Sequence, residues 1–168
     1  MLKSFLKNFI APMVSRPARY QVAALCYRHA PEGLQILMIT SLNTGRWILP
    51  KGWPKAGREA GAIAVEEAWE EAGIQPAAGA APHKIGHYRY QKKLKGDVPV
   101  TTDVDVFAIA VTDLAESYPE QARRKRVWMS PADAAKAVQE PGLKDLLSRA
   151  DSLVAALPAP VAPQAPAL

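Results

Sequence analysis

The segment from Gly52 to Ile74, GWPKAGREAGAIAVEEAWEEAGI, decides how this chain of 168 residues folds and what it does. It opens as a Gly/Pro-containing loop, passes into an alanine-rich stretch and closes on the acids Glu66, Glu67, Glu70 and Glu71 before Gly73. At about 100° per residue, Glu67, Glu70 and Glu71 fall within an arc of about 100° on a helix. Gly61, Ala64, Val65, Ala68, Trp69 and Ala72 take the opposite side. One face therefore suits a core and the other concentrates negative charge.

Carboxylates three or four residues apart on a helix repel one another. At its C-terminal end they also oppose the macrodipole, by up to ~1 kcal/mol. Solvent, a cation or a metal ion must relieve that arrangement. Hard divalent cations take oxygen ligands, a few carboxylates together with water and substrate phosphate. A loop that brings backbone carbonyls up to a cluster of acids fits a divalent-metal site better than it fits a solvated surface.

The same residues resemble the Nudix box: G, five residues, E, seven residues, then REUxEExGU with U apolar. Here Gly52 is followed by five residues, Arg58, seven residues, and then Glu66 to Ile74, so the spacing matches throughout. Two positions depart, both by charge reversal: Arg58 stands where the family has Glu, and Glu66 where it has Arg. An ion pair between Arg58 and Glu66 would survive this exchange with its polarity inverted. Alternatively, Glu59 takes the first acidic role after a shift of one residue. Flanking stretches Gln21 to Arg28, Arg46 to Gly52 and Arg124 to Trp128 are similar to the branch that hydrolyses diphosphoinositol polyphosphates and diadenosine polyphosphates.

The resemblance implies an α/β chain folded as a Nudix-type α/β/α sandwich with a mixed β-sheet. It assigns metal binding to Glu67, Glu70 and Glu71, with the carbonyl of Gly52 or Lys51 as a further ligand, and Mg2+ (or Mn2+) as cofactor. Glu70 or Glu71 would be the catalytic base. The implied activity is a divalent-metal-dependent pyrophosphohydrolase acting on a small polyphosphorylated molecule of the diphosphoinositol or diadenosine type. ADP-ribose or an oxidised nucleoside triphosphate is the alternative substrate. A non-catalytic ligand sensor is the alternative class, which loss of the metal acids would favour; all three are present.

Phosphates need cations that the acids cannot supply. Lys51 and Lys55 flank the loop, and Arg46 precedes it by one short strand. Arg19, Arg124 and Arg126 complete the candidate phosphate-binding set, although in a strand only about half of the run Arg123 to Arg126 can face one pocket. Arg28, Arg89, Lys92, Lys93 and Lys95 add to the supply. Trp53 is a candidate for stacking on a base, whereas Trp47 and Trp128 are expected in the core. His83 and His87 have no zinc-site spacing.

With 49% hydrophobic and 22% charged residues, the composition is that of a globular domain. The net charge of +5 suits a polyanionic partner. Basic and aromatic residues are not interleaved as in single-strand binders, so no nucleic acid partner is expected. The single cysteine, Cys26, excludes an internal disulfide and is expected as a buried core thiol. No apolar run of about twenty residues is present, so no membrane span and a cytoplasmic location are expected.

Three regions follow. Residues 1–18 form an amphipathic segment in which Leu2, Phe5, Leu6, Phe9 and Ile10 recur at helical spacing, suited to packing on the domain or on a second subunit as a homodimer. Residues 19–156 form the domain, and residues 157–168 a Pro/Ala-rich tail expected to be disordered. Within the domain, strands are expected at Tyr20 to Arg28, Leu34 to Thr40, Arg46 to Leu49, Lys84 to Lys92, Thr102 to Val111 and Arg126 to Met129. Lys95-Gly96-Asp97 marks a turn, Ser130 caps a helix with Pro131 at its first position, and Leu143 to Leu157 form a terminal helix.

Overall fold

Residues 20–26 are an almost unbroken apolar run, which suits a strand covered on both faces. They lie in β1 (Arg19–Ala30), and their side chains leave alternately. Val22, Ala24 and Cys26 enter one core, and Ala23 and Leu25 enter another. The computed structural model describes residues 19–93 and 99–159. The N-terminal amphipathic segment, the expected turn at Lys95-Gly96-Asp97 and residues 160–168 lie outside the described residues.

Strand β1 runs parallel to β7 (Pro99–Leu114), from Arg19 opposite Thr102 to Tyr27 opposite Ala110. All other pairings are antiparallel, so the eight-stranded sheet is mixed. On its other edge β1 pairs first with β4 (Lys51–Gly52) at Val22 and Ala23, then with β2 (Gly33–Thr40) from Tyr27 onward. This change of partner opens the sheet beside Pro50, whose carbonyl accepts from the Ala24 N–H at 2.9 Å. Strands β3 (Trp47–Ile48) and β8 (Arg126–Met129) pair with β2. Strands β5 (Ile74–Pro76) and β6 (His83–Lys93) pair with β7.

Helix α1 (Ala60–Ala72) covers one face of the sheet through Ile63, Ala64, Ala68 and Ala72. Its alanines let the helix axis approach the strands closely. The other face carries α2 (Pro131–Ala137), α3 (Pro141–Ser148) and α4 (Ala150–Ala155). Leu143, Leu146 and Leu147 are fully buried there against Leu25, Ile36, Met38, Val104 and Val106. Each such leucine contributes about 1.5–3 kcal/mol by burial. The result is the three-layer α/β/α sandwich. As expected, Ser130 Oγ accepts from the Asp133 N–H at 3.1 Å and starts α2.

Three local expectations change. The terminal helix is two, because Arg149 leaves helical geometry at φ −101° and ψ 6° between α3 and α4. Strand β5 is too short to announce itself, and it exists because Ile74 and Gln75 continue the β7 ladder opposite Leu114 and Asp113. Trp69, on the expected core side of α1, is 39% exposed, whereas Glu67 and Glu71 are buried. The buried stripe of the helix runs through Ile63, Ala64, Glu67, Ala68, Glu71 and Ala72, so the acids sit at the seam between helix and sheet.

Candidate active site

Glu67 and Glu71 lie one helical turn apart, and β4 meets them. The Lys51 N–H donates to Glu71 Oε2 at 3.0 Å, and Arg124 Nη2 donates to Glu71 Oε1 at 2.6 Å. Arg124 is anchored in turn, through Nε to Glu120 Oε2 at 2.5 Å and through Nη1 to the Thr40 carbonyl at 3.0 Å. Gly52 is required by packing: a Cβ there would overlap the carboxylate of Glu67. The loop and the helix end therefore hold each other in one arrangement.

The charge-reversed pair forms. Arg58 Nη2 lies 3.1 Å from Glu66 Oε2, an ion-pair distance without the alignment of a hydrogen bond. Lys55 Nζ donates to Glu66 Oε1 at 2.6 Å and stands 4.0 Å from Glu67 Oε1. Lys55 holds the Glu66 carboxyl below its usual range, chiefly by that hydrogen bond. Exchanging the charges, Arg58→Glu with Glu66→Arg, should be milder for stability and turnover than either single change. The measurement is a double-mutant cycle read by urea unfolding and kcat; additive singles would mean that the two positions do not interact.

A cavity of about 820 Å3 opens on the carboxylate pair. Glu67, Glu71 and Gly52 line it together with the cations Arg46, Lys51, Lys55, Lys92, Lys93 and Arg124. Arg46 is steadied by Gln139 Oε1 at 3.1 Å, with Glu140 Oε1 at 3.7 Å. Trp53, 39% exposed, also lines the cavity and carries Lys92 Nζ at 4.9 Å and the Arg19 guanidinium at 5.7 Å from its ring centroid.

Burial dominates the electrostatics. It raises the Glu71 carboxyl to about 7, against the pull of Arg124 and Lys51. Glu67 is also raised, by burial first and by Glu70 second. Lys51 is lowered to about 8 by burial, with Glu71 and Glu140 opposing the shift. Cys26, as expected, is a core thiol that burial pushes far up and leaves inert.

Two carboxylate side chains one helical turn apart, lining a solvent-filled cavity beside a backbone loop, are a donor set for a hard divalent cation. The residues present fit such an ion. Glu71 then gives a pH signature in metal-free protein. Its folded pKa lies above the ordinary carboxylate value, so its contribution favours the fold at acid pH and is lost as pH rises through about 7. The stability difference between wild type and Glu71→Gln should shift by on the order of 1–3 kcal/mol between pH 5 and pH 8. Urea unfolding in chelator measures it, and a divalent cation added at pH 8 should offset the loss.

Of the candidate residues, Glu67, Glu71, Gly52, Arg46, Lys51, Lys55 and Arg124 share this cavity. Glu70 is half-buried and outside the lining. Among the described residues no three His, Cys, Asp or Glu side chains are grouped closely enough to hold an ion as they stand. Arg19 reaches the site only over Trp53. Arg126 serves another purpose. Its guanidinium donates to the Ala72 carbonyl at 2.7 Å and the Ala115 carbonyl at 2.8 Å, over the Tyr118 ring, and so closes the C-terminal end of α1. Helix-end carbonyls carry partial negative charge and take cations well.

Sequence reasoning missed Glu120, which shares Arg124 with Glu71, and Glu140, which lines the cavity from the residue before α3. Neither lies in a recognisable motif; only the fold brings them to the site.

A family model, the NUDIX domain, matches residues 19–150. Diphosphoinositol polyphosphate phosphohydrolase 3-beta of Homo sapiens is 31% identical over 121 residues, which is 71% of this chain and 68% of that protein. The Bos taurus protein of the same name is 30% identical with the same coverage. Among solved structures, a C. elegans Ap4A hydrolase binary complex superposes with a TM-score of 0.63 at 20% identity, over 83% of this chain and 100% of that one. The NUDIX domain of Shewanella oneidensis NrtR, complexed with ADP ribose, gives 0.62 at 14% identity, over 92% and 99%. The two structures share the fold; the family model and the phosphohydrolase relatives carry the assignment further. The chain belongs to the Nudix family of hydrolases.

Proposed function

We propose that residues 19–156 form a divalent-metal-dependent pyrophosphohydrolase that cleaves a phosphoanhydride bond in a polyphosphorylated small molecule, of the diphosphoinositol polyphosphate or diadenosine polyphosphate type. One observation carries this reading: six cationic side chains line the cavity that holds the Glu67–Glu71 pair. A chain of phosphates needs several cations at once, and an anhydride beside them needs charge neutralisation where the bond breaks.

Glu67 and Glu71 would hold magnesium or manganese, with the Gly52 carbonyl as a further ligand. When bound, the ion supplies charge neutralisation on phosphate oxygens and activation of water. The protein's residues do the rest. Lys51, Lys92 and Lys93 bind the phosphate chain, and Arg46, braced by Gln139, orients it. Lys55 stands between Glu66 and Glu67 and keeps the loop closed over the helix end. Of the two candidate bases, Glu71 lines the cavity and Glu70 does not, which favours Glu71 as the acceptor of the proton from the attacking water.

The test is phosphate-product release in magnesium or manganese from a panel of diadenosine polyphosphates, a diphosphoinositol polyphosphate, ADP-ribose and nucleoside triphosphates. Turnover that is lost in Glu71→Gln supports the enzyme. Binding without turnover across the panel overturns it in favour of a sensor.

A further inference from the structure

Glu140 sits in the cavity as the loose ion-pair partner of Arg46, with no hydrogen bond of its own. Its side chain is only 11% exposed, yet neither oxygen makes a hydrogen bond among the described residues. Oε1 is 3.7 Å from Arg46 Nη1, beyond hydrogen-bond range, and Oε2 is buried with nothing to accept from. Nearly all buried polar groups are hydrogen-bonded, so one that is not calls for a cause. Glu140 occupies the N-cap position of α3, where a side-chain oxygen could accept from the helix, and makes no such bond.

Its neighbours are engaged elsewhere. Arg46 Nη1 donates to Gln139 and Arg46 Nε to Thr44. Tyr90 gives its hydroxyl proton to Gln21 Oε1 at 2.7 Å rather than to Glu140. The carboxylate therefore keeps its acceptor capacity inside a cavity whose other charged lining residues are the six cations and the Glu67–Glu71 pair. A phosphate chain cannot fill that capacity, since phosphate oxygens are acceptors and carry the same charge. A nucleoside can, through its ribose hydroxyls or an exocyclic amine. An inositol ring phosphorylated at every position presents no hydroxyl at all.

We propose that Glu140 is a specificity-determining residue whose carboxylate accepts a hydrogen bond from the ribose or the adenine amine of a dinucleoside polyphosphate and disfavours a fully phosphorylated inositol ring. This rests on the pyrophosphohydrolase reading above and chooses between its two substrate types. A buried acceptor discriminates strongly because the wrong substrate leaves it unpaired or repelled.

The experiment compares kcat/KM for diadenosine tetraphosphate and for diphosphoinositol pentakisphosphate in wild type, Glu140→Gln and Glu140→Lys. The ratio is internal to each preparation, so a partly misfolded variant does not distort it. Wild type should favour the dinucleotide. The ratio should fall about 10-fold in Glu140→Gln and about 100-fold in Glu140→Lys. Diadenosine analogues lacking the 2′-hydroxyl or carrying N6-dimethyladenine identify the donor: the one Glu140 reads loses its sensitivity to Glu140→Gln. A ratio unchanged within about twofold in both variants means that Glu140 only steadies Arg46 and Lys51, and overturns the inference while leaving the enzyme reading intact. Sensitivity retained by both analogues overturns it as well. Wild-type silence on both compounds overturns the enzyme reading and the inference together.

Discussion

Glu71→Gln is expected to lower kcat by about 10^3-fold, with far-UV circular dichroism unchanged and KM little affected. The substitution is nearly isosteric, and the Gln Oε1 can still accept from Arg124. It cannot bring a negative charge to the end of α1, and its amide N–H2 would confront the Lys51 N–H that now donates to Glu71 Oε2. Charge, proton acceptance and the grip on the β4 loop are lost in one change. A smaller loss is expected for Glu70→Gln, because Glu70 stands outside the cavity lining. The comparison is decisive: should Glu70→Gln be the more damaging variant, Glu70 is the base and Glu71 only a ligand. Single-turnover measurements separate the two, since a lost ligand weakens metal dependence while a lost base slows the chemical step at saturating metal.

The sequence made some of this legible and hid the rest for physical reasons. Spacing alone aligned Gly52, Arg58 and the Glu66–Glu71 cluster, because a loop-to-helix motif is local and each residue's place follows from helix period. The inverted Arg58–Glu66 pair was legible in the same way, as a charge exchange at two fixed positions. Burial of the acids was not. A helical wheel sorts Trp69 inward and Glu67 outward by polarity, whereas the sheet edge at β4 meets α1 along the Glu67–Glu71 row and leaves Trp69 39% exposed. Nor was the division of labour in the basic run: Arg124 and Arg126 are two residues apart and read alike. Arg124, in the loop before β8, turns into the site, while Arg126, the first residue of the strand, closes the end of α1. Glu140 announces nothing beyond a residue before a proline.

Replacing Arg124 with Met should cost about 3–5 kcal/mol of stability in metal-free protein, read as a lower urea midpoint with an unchanged slope. Arg124 is 7% exposed and meets three acceptors at once: Glu71 Oε1, Glu120 Oε2 and the Thr40 carbonyl. Methionine fills much of the volume but takes the guanidinium from Glu71, leaves Glu120 only Arg123 at 3.6 Å, and removes a donor from the Thr40 carbonyl; stranding one partner of a buried pair is the expensive case. Arg124→Lys should fall in between, since a single ammonium cannot span three acceptors that a guanidinium fork reaches together. A divalent cation should restore part of the loss in Arg124→Met by supplying charge beside Glu71; binding at about 100 times its Kd is worth about 2.7 kcal/mol. It should restore little of what is lost at Glu120, which does not line the cavity. A variant that unfolds at the wild-type midpoint would mean that Arg124 is not structural. The guanidinium would then count among the cations that receive substrate phosphate, and its loss should appear in KM.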